Sequence, residues 1–122
     1  MKIYVSHSSD YDYENKIYKP LRESKIAKDN TLVFPHEGNN ITNTKNLVLE
    51  SDLVVAEVSL PSTGQGIELG WVNLYKVPVV CLYEKGKSVS SSLKFICGDI
   101  IEYENSDDMI EKIEEYLNKK YR

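Results

Sequence analysis

The sequence predicts a doubly wound α/β fold, in which a five-stranded parallel sheet of the flavodoxin-like or Rossmann-like kind carries helices on both faces. Two observations indicate this fold. The continuous apolar runs LVVAEV at residues 53–58 and PVVCLY at residues 78–83 are typical of strands buried on both sides. Longer segments with the apolar spacing of helices lie between such runs, and strands that alternate with helices form parallel sheets through right-handed crossovers.

Five short runs rich in β-branched or aromatic residues predict the strands. They are Lys2–Ser6, Thr31–Phe34, Leu53–Val58, Pro78–Tyr83 and a weaker run at Asp99–Tyr103.

Of the helices between and after these strands, the last is the clearest. Ser106 is expected to cap it. In the first helix, Pro20 lacks a backbone donor and is expected to kink or shorten the segment. The last helix has one apolar stripe, formed by Met109, Ile110, Ile113, Tyr116 and Leu117.

Length and charge limit the classes of protein. A chain of 122 residues fits a single domain, 1–122. The net charge is -4 and no basic block exceeds Lys119-Lys120, so nucleic acid polymers are not expected as partners. The first apolar run is too short for a signal peptide and no run has membrane-spanning length, so no membrane partner and a cytoplasmic location are expected. Cys81 and Cys97 are interpreted as small buried hydrophobes rather than a disulfide or metal pair.

Polar side chains follow the predicted strands, at the edge where ligands bind in open parallel sheets. Both histidines of the chain, His7 and His36, fall on this edge, although loop residues are often polar and the serines can simply cap helices. Residues 36–44 fit two interpretations equally well, a mobile loop near a site and an ordinary solvated turn. The edge residues are Ser6, His7, Ser8, His36, Glu37, Ser59, Ser62 and Glu84.

A glycine-containing turn follows the third strand. Gly64 and Gly66 lack side chains, so their amides can approach a ligand closely, and Ser62 adds a hydroxyl suited to sugar or phosphate oxygens. The spacing is G-x-G-x-x-x-G through Gly70, which is neither the dinucleotide fingerprint nor a P-loop. A nicotinamide cofactor and ATP are therefore disfavoured, and no cofactor or metal is predicted.

Two glutamates in this region need a physical reason. Glu68 is predicted in the first turn of the following helix, with its side chain directed over the glycine turn and towards a ligand. The alternative is a glutamate that faces water and stabilises the helix dipole. Glu57 lies inside an apolar strand, where an ionised side chain is costly unless paired, and a structural partner is expected.

The run AEVSLPSTGQGIELGW, with SDLVV before it and KVPVVCLY after it, resembles the signature of nucleoside 2-deoxyribosyltransferases and 2'-deoxynucleoside 5'-monophosphate N-glycosidases. The opening KIYVSHS is similar to that family's first strand and loop. The resemblance implies an enzyme that cleaves or transfers the N-glycosidic bond of a (deoxy)nucleoside or nucleoside monophosphate. It also implies a small-molecule nucleoside or nucleotide partner and a homodimer.

The resemblance further implies a role for individual residues. Glu68 matches the nucleophile that attacks or shields the anomeric carbon, and Tyr4 matches a tyrosine beside it. Substrate-binding roles fall to Ser62, Gly64 and Gly66 at the 5' end, to Ser8 in the first loop, and to a serine of residues 90–92, such as Ser91 or Ser92, reaching across a dimer.

The chain departs from the family pattern at two places. The position of the family's proton-donating aspartate reads Thr44, and His36 or Glu37 are the expected substitutes, since each can titrate near neutrality. A basic phosphate-binding position reads Asp10, which favours an uncharged nucleoside.

Two other functions compete with the enzyme. A nucleotide-sensing module of the same fold would keep the binding turn and lack turnover, as the missing aspartate allows. A domain of the Toll/interleukin-receptor kind fits the opening SHSS and the chain length, although the PSTGQGIELG run argues against it.

Overall fold

The structure is a computed structural model that describes residues 1–37 and 43–122. It confirms the predicted α/β fold with a five-stranded parallel sheet, and the strand order β2-β1-β3-β4-β5 is the flavodoxin-like one. The strands are β1 Lys2–Ser6, β2 Thr31–Val33, β3 Leu53–Glu57, β4 Val79–Glu84 and β5 Ile100–Tyr103.

Helices of very different length connect the strands. Pro20 stands in the first turn of α1, where its missing N–H costs least, and a π-helical turn at Glu14–Tyr18 precedes it. The predicted first helix is therefore shortened, as expected. A 3₁₀ turn at Ser91–Phe95 precedes β5. The α-helices are α1 Lys19–Arg22, α2 Lys25–Asp29, α3 Lys45–Leu49, α4 Thr63–Leu74 and α5 Ser106–Tyr121.

Apolar side chains of β1 alternate between two buried clusters, one on each face of the sheet. Ile3 and Val5 pack in the cluster that contains Ile113 of α5. Tyr4 packs on the opposite face, in the cluster that contains Leu69 of α4. Because successive residues of a strand point to opposite faces, helices cover both sides of the sheet.

The start of α5 differs from the prediction by one residue. Asn105 has an extended backbone, and its side chain accepts the N–H of Asp108 at 2.9 Å, so Asn105 and not Ser106 is the cap. Ser106 is the first helical residue, and its hydroxyl donates to the carbonyl of Lys16 at 2.9 Å. The predicted apolar stripe is confirmed, since the helix buries Met109, Ile113 and Leu117.

Cys81 and Cys97 are both buried free thiols, which confirms their interpretation as small core residues. Of the helices in the described ranges, none combines the length and apolarity needed to cross a membrane. The assignment of residues 1–122 to one domain stays a prediction. Most of residues 36–44, expected to form a loop, lies outside the described residues, which end at 37 and resume at 43.

Candidate active site

The candidate site lies where the winding of the sheet reverses. β2 pairs with one side of β1 and β3 with the other, so the connections that follow β1 and β3 diverge at this point. Ligands of open parallel sheets bind in the crevice that such a divergence leaves at the carboxyl ends of the strands. Tyr4 and Ser6 of β1 are two positions apart and therefore point to the same face.

Glu68 of α4 is buried at this point and receives hydrogen bonds from three hydroxyl groups. Tyr4 donates to Oε2 at 2.5 Å, and Ser6 donates to Oε1 at 2.9 Å. Thr44, the residue before α3, donates to Oε2 at 2.8 Å. Three hydroxyl groups from two segments, β1 and the residue before α3, thus fix the orientation of one carboxylate that is only 9% exposed.

The hydrogen bonds around Glu68 suit an ionised carboxylate, because each of the three contacts has its own hydroxyl proton. Burial, followed by the charge of Glu68, raises the pKa of Tyr4 far above its usual value, so this phenol keeps its proton and donates. The arrangement holds an anion at the carboxyl edge of the sheet, where ligands of such folds bind. Such an anion can stabilise a developing positive charge on a ligand.

Glu68 lies in the second turn of α4, and the prediction of the first turn was wrong. The helix begins earlier than expected because Ser62 caps it: its backbone is extended, and its hydroxyl accepts the N–H of Gln65 at 3.4 Å. The alternative prediction, that the Glu68 side chain faces water, is wrong, because this side chain is buried and bonded to Tyr4 and Ser6.

The two glycines belong to the first turn of α4 and not to a loop, so the predicted glycine turn is a helix start. The N–H of Gly66 donates to the carbonyl of Ser62 at 3.0 Å, which removes this amide from the donors expected to hold a ligand. A Cβ at Gly64 or at Gly66 would meet no atom within 4 Å other than its chain neighbours and the backbone of its own helix. The glycines therefore leave open space along the helix, and close approach of a ligand to the backbone remains possible there.

A cavity of about 270 Å³ lies beside the start of α4. Ser62 and Gly66 line it from the helix, and Ser90 and Ser92 line it from the 3₁₀ turn. The structure thus brings Ser92 to the same cavity as Ser62 within one chain, while Ser91 is exposed next to it. The remaining wall includes Val58, Leu69 and Leu93, so hydroxyl groups stand at the rim of a mainly apolar space.

Both histidines lie at one edge of the sheet, as predicted, and their ring centroids are 5.0 Å apart. His7 Nδ1 faces the carbonyl of Ser8 at 2.8 Å and therefore carries the proton, so Nε2 accepts from the Tyr18 hydroxyl at 2.6 Å. Burial lowers the pKa of His7 to about 4, although the bond to Ser8 opposes this shift. His36 is exposed, and its backbone N–H donates to the Tyr18 hydroxyl at 3.1 Å.

Ser8 and Glu37 have hydrogen-bond partners within the protein. The Ser8 hydroxyl is buried and accepts the N–H of Asp10 at 3.1 Å, which shapes the loop after β1. The Glu37 side chain is 57% exposed and pairs with Arg22 at 2.8 Å. The substrate-binding role of Ser8 and the proton-donating role of Glu37 stay predictions.

Ser6 and Thr44 are contacts of Glu68 that the sequence did not assign. Strand alternation could have found Ser6, because it lies two residues after Tyr4. Thr44 was noted only as the replacement of an acid, and its contact with Glu68 depends on how α3 packs against α4. Across residues 1–37 and 43–122, no group of three or more His, Cys, Asp or Glu is placed to hold a metal ion.

The chain is similar in sequence to several nucleotide N-hydrolases, although it matches no protein-family profile. It is 32% identical over 95 residues to a 5-hydroxymethyl-dUMP N-hydrolase of Rattus norvegicus, which covers 76% of this chain and 50% of the relative. A Thermofilum pendens protein, whose name places it among the 2'-deoxynucleoside 5'-phosphate N-hydrolases, is 37% identical over 76 residues, or 58% of this chain and 53% of the relative. These similarities confirm the resemblance predicted from residues 51–83.

A solved structure shares the fold over nearly the whole chain. The CMP N-glycosidase of Clostridium botulinum superposes with a TM-score of 0.73, covering 96% of this chain and all of the other, at 17% sequence identity. An identity this low speaks for the fold alone. In contrast, the chain spans about half or less of the length of the curated relatives it matches first.

Proposed function

We propose that this chain, a relative of the 2'-deoxynucleoside 5'-phosphate N-hydrolases, is an enzyme that cleaves or transfers the N-glycosidic bond of a (deoxy)nucleoside or nucleoside monophosphate, with Glu68 as nucleophile. One observation carries the proposal. A buried carboxylate stands at the switch point of the sheet and is held by three hydroxyl donors, Tyr4, Ser6 and Thr44. A merely structural glutamate on α4 would not need such an arrangement at the ligand-binding edge.

The chemistry fits this arrangement. As the base departs, positive charge develops on the sugar ring, and a carboxylate in a site of low dielectric constant stabilises that charge better than water does. Attack of Glu68 on the anomeric carbon would form a glycosyl ester and release the base, which takes up a proton. Water or a second base then displaces the carboxylate and regenerates it. Tyr4 and Ser6 hold the two oxygens of Glu68 in place during both steps.

The departing base needs a proton, and His36 is the better of the two predicted donors. The exposed ring of His36 packs beside two other rings near the end of β1. The ring centroids of His7 and Tyr13 lie 5.0 Å and 5.3 Å from that of His36. Glu37 is engaged with Arg22 instead. Thr44 occupies the position of the family's acid and contacts Glu68, but a hydroxyl is too weak an acid to replace a carboxyl group.

Of the two substrate classes, an uncharged nucleoside fits the first loop better than a nucleotide does. Asp10 follows Ser8 in the first loop, and its charge would repel a 5' phosphate held there. The similar proteins of known name act on phosphorylated compounds according to those names, so monophosphates belong in the same assay.

Release of free base from a panel of nucleosides and nucleoside monophosphates tests the proposal. Glu68→Gln is expected to lower the rate at least about 10³-fold, because it removes the nucleophile. Glu50→Gln is the matched control, since the Glu50 side chain is exposed and pairs with Lys2, which is not a residue of the proposed site. In the same assay His36→Ala should slow the release of poor leaving groups most.

Two results would contradict the proposed enzymatic activity. Unchanged base release by Glu68→Gln would remove the nucleophile from the proposal. Binding of a nucleoside by both the wild type and Glu68→Gln, with no base released by either, would favour the sensing module.

We also propose that a second copy of the chain covers α4. Ile67 is 51% exposed and Leu74 is 70% exposed, and because they are seven residues apart they lie on one side of the helix. Phe95 of the 3₁₀ turn is 78% exposed. Sedimentation equilibrium would show a dimer for the wild type, and a monomer at all concentrations would contradict this assembly.

A further inference from the structure

A second buried glutamate lies at the same edge of the sheet. Glu57 is the last residue of β3, is 3% exposed, and was expected to have a structural partner. That expectation is confirmed, because its Oε1 accepts the N–H of Ser59 at 2.6 Å and its Oε2 lies 2.8 Å from the Ser59 hydroxyl. Nothing in the proposed reaction uses this group.

Glu57 begins a chain of side-chain oxygens that crosses the end of the sheet. Its Oε2 makes a short hydrogen bond with the hydroxyl of Tyr103 on β5. The Tyr103 hydroxyl lies 2.9 Å from that of Tyr11, which in turn lies 2.9 Å from Oε2 of Glu84 at the end of β4. The Ser59 hydroxyl accepts the N–H of Glu84 at 2.8 Å and closes the cluster.

The protons of this cluster can be counted. Four contacts join pairs of side-chain oxygens, namely Ser59–Glu57, Glu57–Tyr103, Tyr103–Tyr11 and Tyr11–Glu84. Each contact needs one proton between its oxygens, but Ser59, Tyr103 and Tyr11 have only one hydroxyl proton each. With both glutamates ionised, two oxygens would face each other with lone pairs alone. A fourth proton on a carboxyl group removes this repulsion.

The surroundings decide which glutamate carries that proton. Glu84 is 26% exposed and its Oε2 lies 3.6 Å from the ammonium of Lys16, which also lies over the ring of Tyr11. A nearby cation and access to water both favour the ionised form of Glu84. Glu57 is almost completely buried, and burial raises its pKa, although hydrogen bonds from Tyr103 and Ser59 oppose the shift. The groups in hydrogen-bond contact with its carboxyl are the Tyr103 and Ser59 hydroxyls and the Ser59 amide, and the nearby charge of Glu84 raises its pKa further.

We propose that Glu57 is a neutral carboxylic acid in the folded protein at pH 7, and that in this form it is a positioning residue for α4. Its carboxyl group fixes Ser59 in the connection between β3 and α4. Its carbonyl oxygen accepts from Gln65 Nε2 at 2.8 Å, and Gln65 lies three residues before Glu68 in the helix. Both ends of Glu57 therefore hold the start of the helix that carries the proposed nucleophile.

The sign of the pH dependence follows. In the unfolded chain the Glu57 carboxyl group has the ordinary pKa of about 4.5, and in the folded protein its pKa is higher. The stability that the neutral acid contributes is complete below pH 4.5 and is lost as the pH rises through the folded pKa. Ionisation leaves one contact without a proton, and the connection before α4 loosens.

The protonation state can be measured on the wild-type protein. The infrared spectrum at pH 7 should contain the C=O band of a protonated carboxyl group, and this band should disappear in Glu57→Gln and persist in the exposed control Glu102→Gln. ¹³C NMR titration of the glutamate side-chain carboxyl carbons should show one group that ionises above pH 7. If neither the band nor such a group is found in the wild type, the neutral acid is ruled out.

The positioning role is tested by the isostere. The amide nitrogen of Glu57→Gln can donate to the Tyr103 and Ser59 hydroxyls while its oxygen accepts the Ser59 N–H, so the variant should fold and keep kcat within about 3-fold at pH 7. It should lose the alkaline decline in kcat that is expected of the wild type. A kcat of Glu57→Gln that declines with pH like the wild type would overturn this role. The kcat measurement rests on the proposed function, whereas the spectra do not, so the two failures can be told apart.

Discussion

Glu68 and Glu57 are two buried glutamates at the same edge of the sheet, and they differ in the protons that surround them. Glu68 has three oxygen contacts and three hydroxyl protons to fill them. Glu57 belongs to a cluster with four contacts and three hydroxyl protons. Burial alone therefore does not fix the charge of a carboxyl group, because the supply of donors decides whether the anion is satisfied.

The two glutamates also differ in the freedom of their surroundings. The partners of Glu68 come from β1 and from the residue before α3, and the site stands at the switch point of the sheet, where ligands of such folds bind. Glu57 is enclosed at the ends of β3, β4 and β5, where its partners Ser59 and Tyr103 also form hydrogen bonds with other residues of the cluster. An anion beside an opening suits a reaction, whereas a neutral acid in an enclosed cluster suits the support of a loop.

Exchange of one tyrosine in each cluster gives the largest expected contrast between the two glutamates. Tyr4→Phe removes the shortest donor of Glu68 and should lower base release about 10²-fold. Tyr103→Phe removes the partner of Glu57 and should cost about 1–3 kcal/mol in the free energy of unfolding, with a smaller effect on the rate. Initial rates and urea denaturation of both variants check the contrast.

The same pair sharpens the proton count. Without the Tyr103 hydroxyl, the cluster retains the contacts Ser59–Glu57 and Tyr11–Glu84, and two hydroxyl protons fill them. The infrared band of the neutral acid should therefore weaken in Tyr103→Phe and stay in Tyr4→Phe. Equal losses of rate and of stability in the two variants would erase the distinction between the clusters.

His7 has no role in the proposed reaction, and its stability contribution changes with pH in the opposite direction to that of Glu57. The folded pKa of about 4 lies below the ordinary value of 6.5, so the unfolded chain binds a proton that the folded chain excludes. Stability from neutral His7 is present above pH 6.5 and is lost as the pH falls towards 4, by an amount on the order of 3 kcal/mol. His7→Gln should remove this contribution, so the free energy of unfolding of the wild type relative to that of the variant should increase from pH 4 to pH 6.5, as measured by urea denaturation.

Asn73→Gln is the matched control for that measurement. Asn73 is exposed on α4 and has no ionisable side chain, so its replacement should leave the pH dependence between pH 6.5 and pH 4 unchanged. If His7→Gln shows the same pH dependence of the free energy of unfolding as the wild type, His7 binds its proton equally well in the folded and unfolded chains, and the hydrogen bond from Tyr18 to Nε2 would then be wrong.

Much of the fold could be predicted, because continuous apolar strands such as Leu53–Glu57 can be buried only between two layers of helix. Glu68 and Tyr4 were predicted to be neighbours only through the resemblance, and the structure places them 2.5 Å apart. The start of α4 was misplaced because a glycine pair reads as a turn, while the Ser62 cap draws both glycines into the helix.

The sequence by itself determined the order and kind of elements, since hydrophobic period, caps and breakers act over a few neighbouring residues. Only the tertiary structure decided that Thr44 reaches Glu68 and that Tyr11, Tyr103 and Glu84 converge on Glu57. These contacts join residues that are 24 to 92 positions apart, and short-range patterns carry no information about such distances. The charge of a buried glutamate is set by those distant donors, so its role emerges only when the chain is folded.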